Sequence, residues 1–216
     1  VWENAYTFRE LVNTYGLTRA EGAVLRYLSD AYKALRSGVP AAARTDEVTD
    51  LVEWLGELVR QVDSSLLDEW EQLTSPDQPL DAPVAVPTRP RPLTGNERAF
   101  TAMVRNQLFR RVELFARRRW YDLGELDRGS GWDAERWGEV VRAYFAEHAE
   151  LGTGADARGP ALLIWDRSEP GVWRVRQILD DPAGDHDWGI DVEVDLEASD
   201  EGGAVVLRVV DAGRKD

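Results

Sequence analysis

The chain has 216 residues, a formal net charge of −14, nine tryptophans among 43% hydrophobic residues, and no cysteine. Such a length and apolar content sustain one large or two small domains with a sizeable core. The missing cysteines exclude disulfides, thiolate zinc sites and a cysteine nucleophile.

The charge is uneven. Residues 1–74 carry 7 basic and 13 acidic side chains, residues 96–150 carry ten of each, and residues 151–216 carry 7 and 15. Phosphate neutralisation supplies most non-specific nucleic-acid affinity, so an acidic chain binds such a ligand only through a local basic patch. No apolar run approaches the length of a membrane span, and the N-terminus has no basic-then-apolar leader pattern. The expectation is a soluble, cytoplasmic chain without a membrane partner. Its start at Val1 is taken as that of a fragment or a processed product.

In chain order, Phe8, Leu11 and Val12 begin a short helix that stops near Gly16. Thr18 and Glu21 have capping-box spacing for a helix through Val24, Leu25, Leu28, Tyr32 and Leu35, ending at Ser37-Gly38. Thr45 caps a long amphipathic helix running to Leu66, Leu67 and Trp70. Residues 1–74 are thus expected to be a three-helix region. Residues 75–93 form a Pro-rich linker, with six prolines between Ser75 and Pro92.

Residues 94–216 are expected to form an α+β domain. Thr94 and Glu97 make a second capping box, and no glycine or proline follows until Gly124, so one helix of about seven turns is expected over Thr94–Leu123. Phe100, Val104, Leu108, Val112 and Phe115 stripe one side, and only Asn106, Arg110, Glu113 and Arg117 form a solvated strip. A Gly/Asp-rich turn from Gly124 to Gly131 precedes a helix over about 132–148. The period then changes to two, with strands at Ala161–Asp166, Val172–Leu179, Trp188–Leu196 and Ala204–Asp211 joined by short loops. The order matches an antiparallel meander of the cystatin-like or nuclear-transport-factor-like cone type. Arg174, Arg176 and Arg208 are expected to pair across strands with Asp191, Glu193 and Asp195.

No phosphate-binding G-x-x-x-x-G-K-[ST] loop, G-x-S-x-G, H-E-x-x-H or G-x-G-x-x-G occurs. Two stretches carry the remaining chemistry. The connection Asp180–Trp188 holds four carboxylates and His186. It fits a capped turn, a divalent-cation loop, or an acid–base site of His186 with Asp185 and Asp187. Arg105, Arg110, Arg111, Arg117, Arg118 and Arg119 fit either phosphate contacts or internal counter-charge for the acidic flanks. His148 suits the negative end of a helix dipole.

Two longer stretches point to a family. Phe8-Arg9-Glu10-Leu11-Val12 through Leu25-Arg26-Tyr27-Leu28-Ser29-Asp30 to Asp63-Ser64-Ser65-Leu66-Leu67-Asp68-Glu69-Trp70 is one. Val172-Trp173-Arg174-Val175-Arg176-Gln177-Ile178-Leu179-Asp180-Asp181-Pro182 with Gly184-Asp185-His186-Asp187-Trp188 is the other. Together they resemble the C-terminal domain of unknown function of bacterial Ski-type superfamily-two DEAD/DEAH-box helicases, over nearly the whole chain. The resemblance implies an accessory region of an ATP-dependent helicase, partnered by motor domains of the same polypeptide. ATP and Mg would then belong to those upstream RecA-like domains, with no cofactor in this chain, and RNA or single-stranded nucleic acid would be a further partner. The alternatives are a small-molecule-binding or lyase-type cone with the Asp–His site, and a dimerisation module that self-associates.

Overall fold

The computed structural model describes residues 8–40, 43–60, 62, 92–154 and 156–215. The Pro-rich linker up to residue 91 and the expected helix end at Leu66, Leu67 and Trp70 lie outside the described residues. The protein is α+β, with seven helices and one four-stranded antiparallel sheet among the described residues. It divides into two compact units, Val1–Met103 and Val104–Asp216. None of the described helices is long and apolar enough to cross a membrane.

In the first unit, α1 (Phe8–Thr14) ends before Gly16, which takes the left-handed conformation at φ 63°. The expected Thr18–Glu21 capping box does not form. Thr18–Ala20 is a 3-10 turn, and α2 (Glu21–Gly38) starts from Ala20 without a side-chain cap. Thr45 does cap α3 (Asp46–Arg60), accepting from the Val48 N–H at 3.3 Å. α2 and α3 close on Tyr32: a Cβ at Gly56 would lie 2.8 Å from its ring, so the glycine makes room for it. The Arg36 and Arg60 guanidiniums sit 5.5 and 5.9 Å from the ring centre. Val52, Trp54, Leu55, Leu58 and Val59 supply the buried face of α3.

The second capping box is also replaced. Leu93–Gly95 is a 3-10 turn, and Asn96 caps α4 (Glu97–Ala116), its Oδ1 accepting from the Ala99 N–H at 3.1 Å. Asparagine is as good an N-cap as threonine and sits two residues nearer the helix. Ala99, Phe100, Val104, Leu108 and Phe115 on α4 are buried, as the all-round apolar pattern requires. Asn106 is buried as well, at 5% exposure, so the solvated strip is narrower than its spacing implied. α4 stops at Ala116 rather than reaching Leu123, and a separate helix, α5 (Trp120–Leu126), follows.

α6 (Ala134–Glu147) is capped by Asp133, which accepts from the Arg136 N–H at 3.0 Å. Phe115 meets Tyr144 edge-on at 5.4 Å and Trp137 at 6.4 Å, and Tyr144 meets Trp188 of the sheet at 5.5 Å. At Phe115 the layer against α4 is therefore α6, which in turn reaches the strands. Such edge-to-face pairs add about 1 kcal/mol each beyond burial.

The sheet runs β1 (Leu163–Asp166), β2 (Val172–Ile178), β3 (Trp188–Asp195) and β4 (Val206–Arg214), paired in sequence order. Trp173, Val175, Ile190, Val192, Val194 and Val209 are buried. The alternate residues pair by charge: Arg174 and Arg208 both reach Glu193, and Arg176 and Lys215 meet Asp191 at 2.6 and 2.7 Å. The third expected acid departs from that ladder. Asp195 accepts from the Ala198 N–H at 2.9 Å and so caps α7 (Leu196–Gly202), which replaces an expected loop and ends at left-handed Gly203. β4 is an edge strand. Val210 bulges out of register between Val209, opposite Val192, and Asp211, opposite Asp191. The Ser130 hydroxyl accepts from the Val209 N–H at 3.1 Å.

Candidate functional site

The break after α4 exposes three consecutive arginines, Arg117, Arg118 and Arg119. Arg118 lies in the left-handed region at φ 55°. Its N–H donates to Phe115 O at 2.9 Å, and the Arg119 N–H donates to Leu114 O at 2.8 Å. That pair of bonds is the Schellman closure, which ordinarily places glycine at the left-handed position. An arginine there costs about 1 kcal/mol of backbone strain. The Arg118 guanidinium lies over the Phe145 ring of α6, 4.1 Å from its centre, a cation–π contact that offsets part of this cost.

The six arginines singled out by sequence do not form one group. Arg111 is 3% exposed; its Nε donates to both Asp127 oxygens, at 3.0 and 3.2 Å, and its Nη1 to Gln107 O at 2.8 Å. It is a core ion pair and cannot reach a phosphate. Arg105 is half-buried and reaches the Arg158 carbonyl at 3.4 Å, and Arg110 is half-buried farther along α4. Arg117, Arg118 and Arg119 come together, exposed, at the α4–α5 corner. Arg119 is held by Asp122 through two bonds at 2.8 and 2.7 Å.

Sequence spacing did not reveal the neighbours of this corner. Trp120 opens α5 and packs on α6 at Gly138, where a Cβ would lie 3.4 Å from Trp120 Cδ1 and 3.0 Å from Arg142 Nη1. Tyr121 is 71% exposed, its ring 6.0 Å from that of Trp120 at 37°. Arg142 is exposed one turn along α6. Among the described residues Arg117, Arg118 and Arg142 have no carboxylate partner, whereas Arg111, Arg119, Arg128, Arg174, Arg176, Arg208 and Arg214 are all ion-paired. No sequence signal marks these partners, because α4, α5 and α6 must pack before they meet.

The acidic connection is organised around Asp181. Its carboxylate accepts from the backbone N–H groups of Asp185 and His186 at 3.1 and 2.8 Å, and the Gly184 N–H donates to its carbonyl. These bonds hold His186 in a left-handed conformation, φ 56°. Asp185 is exposed, and Asp187 is engaged by Arg214 Nε at 2.6 Å. The carboxylate nearest His186 is Asp180, at 3.8 Å, beyond hydrogen-bonding distance. Among the described residues, neither Asp185 nor Asp187 is hydrogen-bonded or ion-paired to the His186 side chain. Among the described residues no group of three or more histidine, aspartate or glutamate side chains is placed to hold a metal ion. His148, at the C-terminus of α6, lies against the Tyr144 ring.

Burial opposes ionisation of Asp181, but the backbone N–H groups of His186, Asp185 and Gly184, with His148 nearby, outweigh it and hold the carboxyl below its usual range. A depressed folded-state pKa stabilises the fold fully above the ordinary value of 3.8, and the contribution is lost as pH falls through the folded value. Asp181→Asn is therefore expected to flatten the acid limb of the stability profile below about pH 4, and to cost about 1–2 kcal/mol at neutral pH. Urea melts across pH 2–7 check this; an acid limb as steep as in the unsubstituted protein contradicts it. Tyr144 sits beside the turn, its hydroxyl donating to Glu150 O at 3.0 Å. Burial first, then the charges of Asp181, Asp180 and Asp187, push its phenol well above the usual range and keep it neutral.

The protein is thus α+β, with Arg117, Arg118 and Arg119 exposed at the α4–α5 corner and the acidic connection folded as a turn capped by Asp181. The chain belongs to the family described as domain of unknown function DUF3516, whose model matches residues 1–212. No curated protein and no solved structure matches the chain.

Proposed function

We propose that the chain is a non-catalytic accessory region of an ATP-dependent helicase acting on RNA or DNA, docking on the motor domains of the same polypeptide. The observation that carries this reading is the apolar side of α2. This helix is 18 residues long, yet its buried residues are Ser29 and Tyr32. Val24, Leu25, Leu28 and Leu35 are only half-covered, and Tyr27, beside Val24 and Leu28 on the helix surface, is 77% exposed. A half-covered apolar side flanked by an exposed tyrosine supports docking there. The same helix carries Leu25-Arg26-Tyr27-Leu28-Ser29-Asp30, part of the resemblance to the helicase C-terminal region. ATP and Mg belong to the motor in this reading, since the chain has no phosphate-cradling loop.

Association with the isolated RecA-like tandem tests the docking. Tyr27→Asp with Leu28→Asp places two charges on the half-covered side and is expected to weaken association at least about tenfold, with little change in the thermal midpoint. Undiminished association sinks the reading. A mass that rises with concentration in light scattering, and is lost in the same variant, assigns the surface to a second copy of the chain instead. Strand engagement, the other part of the accessory role, falls to the α4–α5 corner.

A further inference from the structure

We propose that the α4–α5 corner is a platform for single-stranded nucleic acid, on which Tyr121, backed by Trp120, stacks a base while Arg117, Arg118 and Arg142 contact the phosphates. The inference deepens the accessory-region reading and rests on it for the source of the strand.

Three observations converge. First, in a chain of net charge −14, three arginines left without a carboxylate lie around one surface. Intramolecular counter-charge holds Arg111 and the arginines of the sheet ladder. Among the described residues of the second unit, Arg136 and Arg158, also without a carboxylate, lie singly over the Trp132 and Phe109 rings, and only at this corner do such arginines gather. Second, these cations alternate with aromatic rings: Arg118 over Phe145, Arg142 beside Trp120 at Gly138, and Tyr121 next to Trp120. Cationic grooves interleaved with rings are how sequence-tolerant strand binders work, the cations tracking the backbone and the rings taking bases. Third, the corner is pre-organised. The Schellman closure fixes Arg118, the Arg119–Asp122 pair fixes the first turn of α5, and Trp120 lies on the bare backbone of Gly138. The backbone that carries Tyr121 is therefore set before a ligand arrives, and the ordering cost of binding falls mainly on its side chain. Arg119 is a positioning residue here, because its guanidinium is already committed to Asp122.

A single strand fits better than a duplex. Three free cations are too few to hold a duplex against the surrounding negative charge, and a duplex hides the base faces that an exposed tyrosine can cover. An acidic peptide would satisfy the arginines but would leave the Tyr121 ring without a flat partner.

The test is fluorescence anisotropy of the full chain with a labelled oligouridylate of about twelve nucleotides, titrated over a range of salt. Binding at low salt is expected. Tyr121→Ala should weaken it about tenfold without changing the salt slope, and Tyr121→Phe should restore it. The combination Arg117→Ala, Arg118→Gly and Arg142→Ala should lower the salt slope by roughly two. Glycine is chosen at 118 because it keeps the left-handed turn. Arg128→Ala, which removes an exposed arginine already paired with Glu125, should change nothing. Absence of binding, equal binding of the matching duplex, indifference to Tyr121→Ala, or preference for a polyglutamate peptide each overturns the platform. Association with the motor tandem, measured on the same variants, separates the two readings. Strand binding without motor association refutes the accessory reading alone, and motor association without strand binding refutes the platform alone.

Discussion

Gly124→Ala is expected to cost the second unit about 3 kcal/mol, although alanine in a helix is ordinarily about 1 kcal/mol better than glycine. Gly124 lies inside α5, at the point where α5 meets the start of α6. A Cβ there would lie 2.3 Å from Ala134 N, 2.7 Å from Ala134 Cα and 2.8 Å from Asp133 C. All three atoms are backbone, so no rotamer change relieves the clash. Moving α6 away instead opens the contact between the two helices where Trp120 lies against Gly138. Urea denaturation measures the loss; a variant as stable as the unsubstituted protein would mean that α5 and α6 do not approach so closely.

Asp127→Ala should be comparably damaging, at about 3–5 kcal/mol, because it leaves the Arg111 guanidinium charged and without its carboxylate in the interior. Asp127 is 2% exposed; its Oδ1 accepts from both Arg111 Nε and Nη2, and its Oδ2 accepts from Nε at 3.2 Å. The double replacement Arg111→Met with Asp127→Leu removes both charges and should recover most of that loss. A double-mutant cycle by urea denaturation gives the coupling directly. A double variant no better than Asp127→Ala would show that Arg111 contributes mainly through its bond to the Gln107 carbonyl.

The strands were legible because a period of two is hard to imitate. Ile190, Val192 and Val194 alternate with Asp191, Glu193 and Asp195, and the ladder of Arg174, Arg176 and Arg208 on two of those acids follows from the register. Helix starts were less legible. Thr18 and Thr94 have capping-box spacing, but 3-10 turns take those residues and the helices begin at Glu21 and Glu97. The short helix after Asp195 carries a readable signal, an acidic cap followed by Gly203, within the expected strand connection. The break at Arg117–Arg119 carried none, since glycine is the residue that announces a left-handed turn and arginine stands there instead. The arginines were legible as a cluster in sequence but not as a surface. The pairing of Arg111 with Asp127 spans 16 positions, and the rings around Arg118 and Arg142 come from two helices.

The treatment of β4 bears on how the protein survives at high concentration. A nine-residue edge strand with Val206 and Val210 exposed is the kind of template on which chains stack into fibrils. The bulge at Val210 interrupts the straight run of backbone groups such stacking needs, and the Ser130 hydroxyl occupies the Val209 N–H that an incoming strand would seek. At the opposite edge β1 is only four residues long, too short to recruit a neighbour firmly. Both margins of the sheet are thus blunted, which turns ordered stacking aside at the edges and adds to the mutual repulsion that the net negative charge supplies.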